Sequence, residues 1–322
     1  KNCKGADIMS RGKRQLSLIG QVDARLNGML ALGQSKHQAK KDGTAKDHIY
    51  SGNTLDRYKK DCCRFMNWVT EEKGYAKKSA RLEDVRQYAP EYIHAMINEG
   101  KSAYTIHSAV AGLAKLYGCS APDFGVELPS RRMENITRSR REDTQNEYHF
   151  SEKNNQDFVD FCRGTGLRRR EVSRIRGDAL FFRNGEPWLI VDEGTKGGKP
   201  RVCPIIGEHK DKIVSMLQSA GTGRVFDKVP THADIHGYRR EYATALYQAN
   251  ARTFEECLTS PFWNAEHKNG RGKPKGGYDK NSVYRCRGAR KGQWMDKQAM
   301  LTVSRALGHN RISVVGEHYI TV

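Results

Sequence analysis

The sequence predicts a mainly α-helical protein with a small antiparallel β-sheet, built as a helical N-terminal domain followed by an α+β domain. Three observations predict this. Up to about residue 130, apolar residues recur at helical spacing between glycine stops. Between residues 178 and 206, short runs separated by glycine-containing turns replace that period. Beyond residue 208 the helical pattern resumes. At 322 residues the chain has room for two ordinary domains with separate cores.

Taken in order, Leu16, Ile19, Leu26, Met29 and Leu30 mark a first helix that Gly33 stops. A polar, lysine-rich stretch covers 34–46. A second helix is expected over 54–73, with Leu55, Tyr58, Cys62, Phe65, Met66 and Val69 on one face and Gly74 as its end. A third region, 84–98, is broken at Pro90, where its longer helix starts. A fourth helix spans 103–117 and ends at Gly118. Such short helices make a small bundle, so 1–130 is assigned as one domain. Residues 131–141 hold five arginines and one glutamate without apolar periodicity, which places an interdomain linker at 131–150. Arg131, Arg132, Arg138, Arg140 and Arg141 are candidate phosphate contacts there. Ser151 is a suitable helix N-cap and opens the second domain, 151–322. Strands are expected at 178–183, 188–192 and 201–206, and helices from 208, over 235–249 and over 295–306. The Gly/Lys-rich stretch 268–280 reads as a disordered surface insertion, with a phosphate-contacting loop as the sharper alternative.

Charge narrows the partner. Lys and Arg number 56 against 37 Asp and Glu, a formal net charge of +19. Self-repulsion of that size opposes compaction, and a polyanion relieves it, nucleic acid first and an acidic membrane surface second. No apolar run approaches the ~20 residues that span a bilayer, and the basic, polar start at 1–14 lacks the core of a signal peptide. The chain starts with Lys, which leaves room for residues upstream. The eight cysteines form no C-x-x-C pair and sit among apolar neighbours, which points to reduced thiols in the cytoplasm and to no structural metal.

Attack on a phosphodiester piles negative charge on the non-bridging oxygens, and arginine's planar, permanently charged fork suits it. An attacking hydroxyl must lose a proton and the leaving oxygen must gain one. The second domain offers such groups in order: Thr165-Gly166-Leu167-Arg168-Arg169-Arg170-Glu171, Thr195-Lys196-Gly197-Gly198-Lys199 at a hairpin tip, His236-Gly237-Tyr238-Arg239 at a helix start, Leu307-Gly308-His309, and Tyr319. Each alone is common, as a solvated cluster, a turn or a packed aromatic; the ordered set is the signal.

That order resembles the tyrosine recombinase, or phage integrase, family, to which lambda integrase and the Xer recombinases belong. The motifs cover 151–322; the helical front part is similar to the family's core-binding domain in architecture alone. The resemblance implies Arg168 and Arg239 as the clamp on the scissile phosphate, with His309 adding a hydrogen bond. It implies Lys196 as general acid, with Lys199 as the alternative, and His236 as base or proton relay. Glu171 would support the helix carrying Arg168, and Tyr319 would be the nucleophile that forms a 3′-phosphotyrosyl bond. Lys199 and Arg201 join the linker arginines as expected DNA contacts. The resemblance further implies a C-shaped clamp on double-stranded DNA, four protomers on two duplexes, a Holliday junction, accessory DNA-bending proteins, and neither metal nor cofactor. Integration or excision of a mobile element is the expected role, in the cytoplasm with the nucleoid. Two features depart from the family: Tyr319 follows His309 by ten residues where nine is more usual, and 240–306 is long enough to hold an insertion, including 284–294. Only three residues follow Tyr319, where many relatives carry a longer tail. A type IB topoisomerase, or a DNA-binding protein without catalysis, are the rival readings.

Overall fold

The computed structural model describes residues 16–75, 80–132, 149–195, 198–265, 276–287, 290–309 and 311–321. The chain divides into two compact units, Lys1–Asn135 and Ile136–Val322. Most of the expected linker, 133–148, lies outside the described residues, and with it Arg138, Arg140 and Arg141.

In the first unit the helices are α1 (Leu18–Gly28), α2 (Lys36–Lys41), α3 (Gly52–Lys73), α4 (Leu82–Val85), α5 (Ala89–Asn98) and α6 (Ala103–Tyr117). Local chemistry sets their ends. Ser51 and Ser102 accept hydrogen bonds from the backbone N–H of Thr54 and Thr105 at the starts of α3 and α6, and glycines 74 and 118 end those helices in the left-handed region. Pro90 sits in the first turn of α5, where its missing N–H costs nothing. The polar, lysine-rich stretch 34–46, for which the sequence pattern assigns no helix, contains α2. Ser35 caps it, a local signal that the lysine-rich composition masked. The core is continuous across the bundle: Leu26, Phe65, Met66, Val69, Ile93, Ile106 and Leu113 are all fully buried.

The second unit runs α7 (Gln156–Thr165), α8 (Arg169–Val172), β1 (Leu180–Arg183), β2 (Glu186–Val191), β3 (Arg201–Pro204), α9 (Lys210–Ala220), α10 (Ile235–Gln248), α11 (Phe254–Thr259), β4 (Phe262–Asn264), β5 (Gly277–Asp279), β6 (Val283–Arg285), β7 (Trp294–Asp296), α12 (Lys297–Ala306) and α13 (Ile312–His318). The main sheet is the antiparallel meander β1-β2-β3, with Leu180 opposite Leu189 and Leu189 opposite Cys203. Leu189, Val191 and Cys203 point inward while Ile190 and Val202 stay exposed, the period-two pattern of a sheet covered on one face. Its covered face joins Phe161, Ile213, Leu217, Tyr242, Met300 and Val303 in one core.

Three expectations change between residues 251 and 306. The stretch 268–280 is not wholly irregular: Gly277–Asp279 pairs with Phe262–Asn264, while 268–275 lies outside the described residues. Residues 284–294 contribute to a second hairpin, β6–β7. The helix expected from 295 starts at Lys297, because Met295 and Asp296 belong to β7 and Asp296 caps the helix by accepting the Gln298 N–H. Asp296, fully buried, also accepts from Arg252 Nη2 at 2.7 Å and Nε at 2.8 Å, which ties α12 to the loop after α10. Among the described residues no helix is long and apolar enough to cross a membrane, and no group of three or more His, Cys, Asp or Glu could hold a metal ion.

Candidate active site

α7 ends at Gly166, and after buried Leu167 the chain turns into α8 with Arg168 as its N-cap residue. Glu171, three residues on and 1% exposed, folds back to accept the Arg168 backbone N–H at 2.7 Å and its Nη1 at 2.9 Å. One carboxylate thus fixes both the backbone and the side chain of Arg168. A second guanidinium nitrogen, Nη2, donates to the Leu307 carbonyl at 3.1 Å.

Arg239 reaches the same carbonyl from another direction. It lies in the first turn of α10 and has no exposed surface. Its Nη2 donates to Leu307 O at 2.5 Å and its Nη1 to the carbonyl of Gly166. Two cations are held together by backbone acceptors from the α7–α8 turn and the α12–α13 turn. Burial, and then the charge of Arg168, press the Arg239 guanidinium down to about 10, so it remains a cation at neutral pH in a place that penalises the charge. Its Nε is buried without a hydrogen-bond partner among the described residues. A dianionic or monoanionic oxygen group is the ligand that relieves such a cost.

Tyr319 follows α13 directly, and its ring meets both sides of the site. The Arg239 guanidinium carbon is 5.5 Å from the ring centroid, and the His309 ring is 5.2 Å away at 49°. His309 is positioned by buried Ser304, whose hydroxyl donates to the His309 carbonyl at 3.0 Å, while the His309 N–H donates back to the Ser304 carbonyl at 2.8 Å. The tail is fastened as well. Thr244 of α10 donates to the Tyr319 carbonyl and accepts the Thr321 N–H, and Arg290 Nη1 donates to the carbonyls of Gly316 and Ile320 at 2.8 and 3.0 Å. The exposed His236 lines a small cleft with Arg240, His318 and Tyr319. The ten-residue approach from His309 therefore still brings Tyr319 against Arg239.

Of the residues named from sequence, Arg168, Glu171, Arg239, His309 and Tyr319 form one constellation, with His236 on the cleft beside Tyr319. Lys196 lies outside the described residues. At Gly194, with φ +70°, a Cβ would stand 2.5 Å from the Arg170 carbonyl oxygen, so the backbone just after β2 passes directly against α8. Lys199, Arg131 and Arg132 are exposed.

Arg201, expected as a surface DNA contact, is a correction. Its side chain is 6% exposed, and its donors are turned inward: Nη1 and Nη2 to the two Glu171 oxygens at 2.7 Å each, and Nε to the Ala306 carbonyl at 2.8 Å. A signal for this was present. Arg201 is two residues before buried Cys203 on one strand, hence on the same inward face. Arg290 and Thr244 were missed altogether. Arg290 lies in a stretch read as insertion, and nothing local to it shows that the last residues of the chain return to it.

No protein-family model matches the chain, and no curated protein matches it. Solved structures are similar to it over nearly its whole length. XerH site-specific recombinase bound to palindromic difH substrate, in a post-cleavage complex, is 12% identical, with 95% of this chain and 91% of that one covered and a TM-score of 0.49. The Tn1549 transposon integrase in complex with transposon right end DNA is 13% identical, covering 95% and 96% at a TM-score of 0.41. XerA recombinase is 10% identical, covering 94% of each at 0.29. These solved structures to which it is similar are two recombinases and a transposon integrase.

Proposed function

We propose that this chain cuts and rejoins double-stranded DNA through a covalent bond to Tyr319, as a site-specific recombinase of the tyrosine type. The observation that carries the reading is the contact of the Tyr319 ring with buried Arg239 and with His309, beside an Arg168 that shares the Leu307 carbonyl with Arg239. In this reading the two guanidinium groups exchange part of their backbone bonding for the non-bridging oxygens of a phosphodiester and stabilise the charge that builds as Tyr319 attacks. The Tyr319 hydroxyl proton passes to His236 across their shared cleft, and His309 donates to the phosphate. The 5′ oxygen leaves with a proton from a lysine of the 196–199 hairpin tip, Lys196 in the first instance. The bond energy is kept in the phosphotyrosyl ester, and a 5′-hydroxyl from a partner strand reverses the step. The net charge of +19 suits a duplex as the partner. Pairing of two duplexes by several protomers, and integration or excision of a mobile element, belong to the same proposal, with exposed Arg131, Arg132 and Lys199 as backbone contacts.

A nicked suicide duplex that traps the cleaved strand tests this. The wild-type chain is expected to give a covalent protein–DNA band, Tyr319→Phe to give none, and both to bind the duplex alike. A band that persists in Tyr319→Phe assigns the nucleophile elsewhere; none from the wild type on its own genomic junction sequences removes the reaction.

A further inference from the structure

The site holds three guanidinium groups and, in contact with two of them, one carboxylate. How that carboxylate is shared decides how much positive charge faces a phosphate. Glu171 gives both of its oxygens to the Arg201 fork, at 2.7 Å each, and only Oε1 to a single nitrogen of the Arg168 guanidinium, at 2.9 Å. The Arg201 and Glu171 side chains are 6% and 0% exposed, whereas Arg168 keeps 19%. The bidentate, buried pair is therefore Arg201–Glu171, and Arg168 is the more solvent-facing cation, bonded to the carboxylate through one guanidinium nitrogen alone. Counted as formal charges, the paired Arg201 and Glu171 cancel, leaving Arg168 and Arg239 unbalanced in front of the nucleophile.

We propose that Arg201 is a positioning residue that sets the charge of this site: by occupying Glu171 with its fork, it keeps the Arg168 guanidinium available to the scissile phosphate. The proposal rests on reading the site as a DNA-cleaving centre and assigns to that centre a residue that touches no substrate. Without Arg201, Glu171 remains buried and charged, and Arg168 becomes its nearest cation. The carboxylate would then draw Arg168 into a bidentate pair of its own, and the charge facing the phosphate would fall from two units to one. The transition state of phosphodiester attack carries more negative charge than the ground state, so cleavage suffers more than DNA binding. Both members are shifted as such a pair should be: Arg201 is raised and Glu171 lowered, each against the opposing effect of burial. The chain packs to keep Arg201 in place. A Cβ on Gly308 would stand 2.8 Å from Arg201 Cδ, and Ala306 O receives its third donor.

Three full-length variants test the charge role against mere packing: Arg201→Met, Arg201→Lys, and the double variant Glu171→Gln/Arg201→Met. The readouts are the single-turnover rate of covalent adduct formation at saturating suicide duplex, the duplex affinity, and the rise in Tm on adding inorganic phosphate at constant ionic strength. Arg201→Met is expected to slow adduct formation roughly tenfold to a hundredfold with affinity nearly unchanged, and to shrink the phosphate-dependent rise. Arg201→Lys keeps the charge and stays within about threefold of wild type. The double variant removes the carboxylate's charge along with the arginine's and recovers about tenfold over Arg201→Met. A double variant no faster than Arg201→Met, or Arg201→Lys as slow as Arg201→Met, overturns the proposal and leaves a packing role. If Arg201→Met fails to fold, the other two decide: both within about tenfold of wild type supports the charge role, and either one slower overturns it. If the wild type forms no adduct, the DNA-cleaving reading falls while the phosphate-dependent Tm series still decides whether Arg201 governs the charge at Arg168.

Discussion

Glu171 shows how one side chain serves stability and electrostatics at once. Burial by itself raises its pKa, but the hydrogen bonds and charge of Arg201, with the backbone N–H and charge of Arg168, outweigh that effect and leave it below the ordinary 4.5. The folded chain holds this proton less tightly than the unfolded chain does. The stabilisation is therefore complete above the ordinary glutamate value and is lost as pH falls through the depressed folded value. Calorimetric scans between neutral pH and about pH 3 are expected to show Tm falling on acidification, and falling less steeply in Glu171→Gln. Parallel declines in the two proteins assign the acid sensitivity to other carboxylates, of which buried, arginine-paired Asp296 is the first to consider.

The α12–α13 turn is the element on which the site depends most. Its backbone supplies the Leu307 carbonyl to two arginines and the Ala306 carbonyl to a third, and it carries His309. Gly308 makes the turn possible for two separate reasons: φ is +67°, and the space a side chain would need is filled by an Arg201 that three hydrogen bonds hold still. Gly308→Ala is expected to cost about 2 kcal/mol, the left-handed backbone penalty plus displacement of Arg201. Urea unfolding of the two proteins checks it, with a drop of midpoint at unchanged slope. Adduct formation should fall by more than this loss of stability explains, because Arg168 and Arg239 lose their common acceptor. A stable but inactive Gly308→Ala would place the effect in the site alone.

At the scale of the whole molecule the net charge of +19 governs association. If the chain binds duplex DNA through phosphate contacts, each contact releases condensed counterions. A footprint of about six to ten contacts then loses roughly 10³–10⁵ in affinity between about 50 and 200 mM salt. Fluorescence anisotropy of a labelled duplex over that range is the measurement. A nearly flat salt dependence would mean that the charge is not directed at a polyanion backbone. Gly308 and Glu171 both lie in the second unit, whose core cluster is distinct from that of the first.

Local chemistry made much of this legible in the sequence. Apolar spacing and glycine stops mark α3 and α6 almost to the residue, Pro90 opens the first turn of α5, and short runs between glycine-containing turns mark the three strands of the main sheet, because each signal acts within a few residues of itself. The ordered motif residues Arg168, Glu171, Arg239, His309 and Tyr319 were named in advance for their chemistry. That they meet is a tertiary fact: the α7–α8 turn, α10 and the α12–α13 turn come together around the Leu307 backbone carbonyl, whose part as a shared acceptor no side-chain motif states. Arg201 marks the boundary between the two kinds of knowledge. Composition made it one more basic residue for DNA, strand alternation hinted that it turns inward, and the fold, by placing a buried carboxylate within reach of its fork, made it part of the site's charge balance. A sequence lists charges, and their pairing is decided by which backbones pack side by side.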